Sequence, residues 1–191
     1  MAPQLHRLTQ VARRVRALSA LALPLVAALA LTGCAAEQYD RDAARRIIAE
    51  KDAFMSALDE STGAGREAFL EDVRTDSGRL PGRYWDGAAD PQGLDLAAGG
   101  TALYGLEEDG DEAAFAVLIS SGSSPGKGQG ESEAQPVYTC FRIEVTFADD
   151  TLKVWRRDGS TSDDPGEFCS PELVASLGEG AEAAPVVDFD G

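Results

Sequence analysis

The strongest constraint on the fold lies between residues 137 and 157. Val137, Thr139, Phe141, Ile143, Val145 and Phe147 alternate with polar or special residues. A period of two puts these six on one face of a β-strand. Asp149-Asp150 then turns the chain into a second alternating stretch over residues 151–157. Pairing across that turn sets Phe147 against Leu152 and Val145 against Val154, apolar on apolar. A slip of one residue scrambles both faces, so the pattern specifies the register. The opposite face then presents Tyr138, Arg142, Glu144 and Thr146 beside Lys153, Trp155 and Arg157. Of these, Tyr138, Arg142, Lys153, Trp155 and Arg157 form a candidate binding face, since Trp and Arg together can anchor an anionic or aromatic partner. The competing reading is structural: a C-terminal segment with Phe168 and Leu173 covers Trp155 and Tyr138, and local acids neutralise the arginines.

Elsewhere the periodicity changes. Over residues 40–60, Ala44, Ile47, Ile48, Phe54, Met55 and Leu58 recur at helical spacing, with Asp40 or Asp42 as the cap. A shorter helix is predicted over residues 66–74, with Phe69, Leu70 and Val73 on one side. Residues 76–100 carry turn signals around a short strand at Arg83-Tyr84-Trp85. Residues 101–108 and 111–121 flank Asp109-Gly110 as a hairpin, which pairs Tyr104 with Phe115 and Leu106 with Ala113. Residues 122–136, rich in Ser, Gly and Glu, are expected to form a mobile loop inside the same domain. Ser170-Pro171-Glu172 starts a last short helix that Gly178 ends. The tail beyond is expected to be loose, with Val186-Val187-Asp188-Phe189 as a segment that can dock. Helices first and strands later predict an α+β class: one N-terminal helix packed on an antiparallel sheet of about four strands, in a single domain. No internal repeat is visible.

The first segment has a different logic. Arg7, Arg13, Arg14 and Arg16 precede an Ala/Leu run over residues 17–31, and no acid occurs before Glu37. That run is about 15 residues, roughly 22 Å as a helix, whereas a spanning helix needs about 20. It ends in Leu31-Thr32-Gly33-Cys34. This segment resembles the export signal and lipobox of bacterial lipoproteins: Leu31, the small polar Thr32, Gly33 and Cys34 each match the pattern. The resemblance covers the signal segment only. It implies cleavage before Cys34, a lipid on the Cys34 thiol, acyl chains such as palmitate, and a place on the outer face of the cell membrane. Two acyl chains make a stable anchor. The implied organisation is a signal over residues 1–33, a lipidated cysteine and short tether over 34–39, an α+β domain over 40–178 and a tail over 179–191. From Cys34 to Tyr39 the extended chain reaches at most about 18 Å, which keeps the domain near the headgroups.

Charge and rare residues narrow the function. Four of the 17 basic residues lie in residues 1–33 and none of the 33 acids, so the remainder carries 13 against 33, a net charge of −20. Such a surface repels nucleic acid and anionic lipid, so attachment falls to the acyl chains. The one histidine is His6, inside the signal. Its loss with the signal removes Ser-His-Asp, Cys-His and His-ligated zinc chemistry from the mature chain. If Cys34 carries lipid, Cys140 and Cys169 remain as an even pair, expected to form a disulfide outside the cytoplasm.

The run Glu107-Glu108-Asp109-Gly110-Asp111-Glu112 lacks the twelve-residue spacing of an EF-hand and reads as a solvated hairpin tip, as do Asp149-Asp150 and Asp163-Asp164. Gly126-Lys127-Gly128-Gln129-Gly130 lacks the P-loop spacing. No motif implies a catalytic residue, a cofactor or a metal. The expectation is a membrane-anchored extracytoplasmic module that binds another envelope component. The alternatives are a carboxylate-based envelope hydrolase, which needs no histidine, and a small-solute binding module.

Overall fold

Asp40 opens the folded part: its Oδ1 accepts from the amides of Asp42 and Ala43 at 2.9 and 3.1 Å. That cap starts helix α1 (Arg41–Glu60), and α2 (Arg66–Arg74) follows. In this computed structural model the described residues are 39–63, 65–123, 135–148, 151–159 and 166–190. The lipobox and export signal, most of the 122–136 loop with its glycine run, and the Asp149-Asp150 and Asp163-Asp164 pairs lie outside them. All described elements belong to one unit, Tyr39–Gly191. No helix among the described residues is long and apolar enough to cross a membrane.

The strands are β1 (Arg83–Trp85), β2 (Gly100–Asp109), β3 (Glu112–Ser120), β4 (Val137–Ala148), β5 (Thr151–Asp158) and β6 (Glu182–Ala183). They form one sheet in the order β1-β2-β3-β4-β5, with β6 also on β4. The fold is α+β. The antiparallel meander β2-β3-β4-β5 supplies the four expected strands. The sheet is nonetheless larger and mixed, because β1 pairs with β2 and β6 with β4 in parallel. The three-residue β1 is the short strand expected at Arg83-Tyr84-Trp85, but its parallel pairing, across a long crossover, follows from no local pattern, and the two-residue β6 is too short to show a period of two. The β4–β5 register is the expected one, with Val145 on Val154 and Phe147 on Leu152.

The β2–β3 hairpin departs from expectation by one residue. It closes over Gly110 and Asp111, with Asp109 opposite Glu112. Gly110 takes the first central position at φ 56°, a left-handed conformation that glycine adopts without strain. Gly105, at φ 61°, lies in a break in the ladder between Tyr104 and Glu107. Tyr104 therefore faces Ala116 rather than Phe115, and Leu106 lies in the break rather than opposite Ala113. The displacement is consistent with burial: Phe115 turns to Phe69, ring centroids 6.4 Å apart, while the Tyr104 hydroxyl donates to the Phe168 carbonyl on the other side at 2.5 Å.

The two faces of the sheet have different covers. On the first, Ile47, Phe54 and Leu58 of α1 and Phe69 and Val73 of α2 join Phe115, Phe141, Ile143 and Val145 in one buried cluster. Phe54 meets Phe141 edge-on at 6.1 Å. Thr139 is fully buried on that face, and its Oγ1 has no hydrogen-bond partner among the described residues. An unpaired buried hydroxyl is a net loss, so Thr139→Val should raise stability by about 1 kcal/mol. A higher urea midpoint at unchanged slope is the expected reading, and a lower midpoint would show that the hydroxyl is satisfied.

On the second face, helix α3 (Pro171–Ser176) covers only one end. Ser170 Oγ accepts from the Leu173 amide at 3.4 Å and Pro171 takes the first helical position, as the sequence indicated. Leu173 and Leu177 then bury Leu118, Tyr138 and Cys140. A disulfide joins Cys140 to Cys169, Cα atoms 5.5 Å apart, and fastens this cover to β4.

The segment expected as a loose tail over 179–191 is packed through residue 190. After β6, Val186–Phe189 forms a 3-10 turn that buries Val186 and Phe189 in the first-face core. Lys51 of α1, almost fully buried, donates from Nζ to the Phe189 carbonyl and to Asp190 Oδ1, each at 2.7 Å. Arg156 of β5 holds the same carboxylate at 2.6 Å.

Candidate functional site

The ladder sets three rows on the second face, the first of which runs partly beneath the α3 cover. Tyr104, Ala116, Arg142 and Arg157 form one row. Glu107, Ala114, Glu144 and Trp155 form the next, and Asp109, Glu112, Thr146 and Lys153 the third. Side chains two apart on a strand share a face, so the three rows make one continuous surface. Its middle is low because β3 contributes only Ala114 to that face there. The taller residues of β2 on one side and of β4 and β5 on the other leave an open trough of about 750 Å³.

Trp155 forms part of the trough wall on the β5 side and is 49% exposed. It and Val187 are the two large hydrophobic side chains left exposed among the described residues. Arg142 reaches over the β3 alanines to Glu107, Nη2 to Oε2 2.5 Å. Arg157 pairs with Glu144, Nε to Oε1 2.8 Å. Glu108 turns to the first-face side, where it pairs with Arg66 and Arg74. Asp109 and Glu112 line the trough and have no cationic partner among the described residues.

The five residues proposed from sequence therefore separate. Arg142, Trp155 and Arg157 meet in the trough. Lys153 is exposed at the end of the third row, outside the lining. Tyr138 does not belong to the site: it is 8% exposed beneath the α3 cover. Burial pushes its hydroxyl pKa up. Both sequence readings are thus partly realised. The cover reaches Tyr138 but not Trp155, and the two arginines are neutralised by acids that face them.

Asp109, Glu112 and Ala114 were missed as site residues. The acids read as a hairpin tip, and only the true register shows that Glu112 shares a face with Trp155. A useful signal was present in the Glu112-Ala113-Ala114 string, where small side chains interrupt two charged strands. Among the described residues no group of three or more His, Cys, Asp or Glu is placed to hold a metal ion. Compared with family models, curated proteins and solved structures, the chain matches none.

Proposed function

We propose that the protein is an extracytoplasmic lipoprotein, anchored through Cys34, whose trough around Trp155 binds another component of the cell envelope. The observation that carries this reading is the Cys140–Cys169 bond. The chain has three cysteines, so that bond leaves Cys34 as the one available thiol. Protein disulfides persist mainly outside the reducing cytosol, in the compartment to which a lipobox directs a chain.

Tyr39 supports a position close to the bilayer. It is 6% exposed and packs on Phe189 at 5.7 Å, so the chain is already held in the core at that point. Only the step from Cys34 to Tyr39 remains as tether, at most about 18 Å. The binding reading draws on the trough, which is open along the sheet. A glycan hydrolase asks instead for a cleft with two acids facing each other across a sugar, and solute capture asks for an enclosed pocket.

Cell fractionation tests the anchor. The unsubstituted chain should incorporate labelled palmitate and sediment with membranes, and Cys34→Ala should appear in the soluble extracytoplasmic fraction. Equal membrane association of both, with an unmodified thiol at Cys34 by mass spectrometry, would remove the reading.

A further inference from the structure

We infer that the occupant of the Trp155 trough is an extended, basic peptide segment of an envelope protein. This rests on the reading that the uncovered end of the second face is the binding face, and it adds the chemistry of the partner. The sequence alone pointed to an anionic or aromatic partner, because Arg142 and Arg157 share a face with Trp155. The geometry reverses the sign. Arg142 is held by Glu107 and Arg157 by Glu144, so neither guanidinium is available to an anion without breaking an existing pair. The groups left without a counter-ion in the lining are Asp109 and Glu112. An exposed indole that faces unpaired carboxylates across the trough is an arrangement that attracts a chain carrying several Lys or Arg residues: one cation stacks on the ring while another, further along, pairs with the acids.

The spacing argues for a chain of linked cations rather than a single small one. Glu112 and Trp155 lie two strands and one row apart, about 12 Å from the strand spacings. One ammonium cannot reach both. An extended peptide advances about 3.3 Å per residue, so basic residues three to four positions apart span that gap. Ala114 leaves the floor low enough for a backbone to lie between the two contacts.

The test uses the full chain purified in non-ionic detergent and fluorescein-labelled hexalysine, followed by anisotropy, with hexaglutamate as the opposite-sign probe. Hexalysine should bind, weaken with salt and leave hexaglutamate unbound. Asp109→Asn with Glu112→Gln should weaken binding about five-fold, and Trp155→Ala about three-fold. Asp59→Asn with Glu60→Gln removes the same charge from the exposed end of α1 and should change binding less than two-fold if the trough is the site. Equal losses from the two double variants would assign binding to the overall negative field and overturn the proposal. So would binding of hexaglutamate. A photo-crosslinking amino acid at position 155, used in intact cells, separates the two levels. A specific crosslink without hexalysine binding overturns the basic occupant and leaves the binding face standing. Absence of both removes the face as well.

Discussion

Removing residues 185–191 is expected to lower stability by about 5 kcal/mol. The cut leaves β6 and the Ala184 amide bond to the Tyr138 carbonyl in place. It takes away Phe189, 1% exposed, and Val186, 3% exposed, from the first-face core. It also strips the Lys51 ammonium of the Phe189 carbonyl and the Asp190 carboxylate, leaving it only the more distant Asp52 at 3.6 Å. A buried cation that loses its partners is strongly destabilising, whereas an apolar side chain in its place is not. The truncation should therefore be less harmful in a Lys51→Met background, and the difference measures the coupling. Urea unfolding of the four chains gives both quantities. A midpoint unchanged by the truncation would show that the segment does not hold the fold.

The same contact sets an acid limit. The Arg156 guanidinium, with help from Lys51, holds the Asp190 carboxyl down from 3.8 to about 2. A carboxyl lowered in the folded state stabilises above its unfolded pKa and loses that contribution as the solution is acidified through its folded value. The Asp190 contribution is thus fully present above about pH 4 and fades toward pH 2. The segment that fastens Tyr39 beside the proposed anchor stays clamped under mildly acid conditions. The Tyr39 hydroxyl, which donates to Asp188 Oδ2 at 3.2 Å, is pushed up to about 12 by burial and that bond, so it remains a donor throughout.

What the sequence shows of this fold follows from where its signals are two-sided. The β4–β5 register is legible because Val145 and Phe147 meet Val154 and Leu152 on one face while charged residues meet on the other. In the β2–β3 hairpin both Gly105 and Gly110 permit a shift, so local turn chemistry alone leaves the register one residue ambiguous, and burial of Phe115 decides it. The C-terminal clamp is hidden for another reason: Lys51 reads as a surface residue of an amphipathic helix, and only the fold brings Phe189 and Asp190 to it. The site divides the same way. Trp155, Arg142 and Arg157 share a face by alternation alone. The burial of Tyr138 and the availability of Glu112 depend on how far the α3 cover extends, which no local pattern encodes.

That cover is set by one covalent bond, so Cys140→Ala with Cys169→Ala, or reduction, should lower stability by about 3–4 kcal/mol. The two cysteines are 29 positions apart, and the bond removes the freedom of that loop from the unfolded chain. For a domain of this size the loss corresponds to about 10 °C in melting temperature. The effect should also be local. Helix α3 has six residues and is too short to persist without its packing, so hydrogen exchange over Pro171–Ser176 should rise first. The α1 helix, on the other face and held by Phe54, Phe141 and Lys51, should keep its protection. Release of α3 uncovers Leu118, Tyr104 and Tyr138, which would join the Trp155 trough into one long apolar face. A patch of that kind favours association, so the reduced protein should bind a hydrophobic dye and self-associate where the oxidised protein does neither. An unchanged melting temperature on reduction, or exchange that rises equally in α1 and α3, would show that packing alone holds the cover. The boundary of the proposed binding face would then have to be explained without the disulfide.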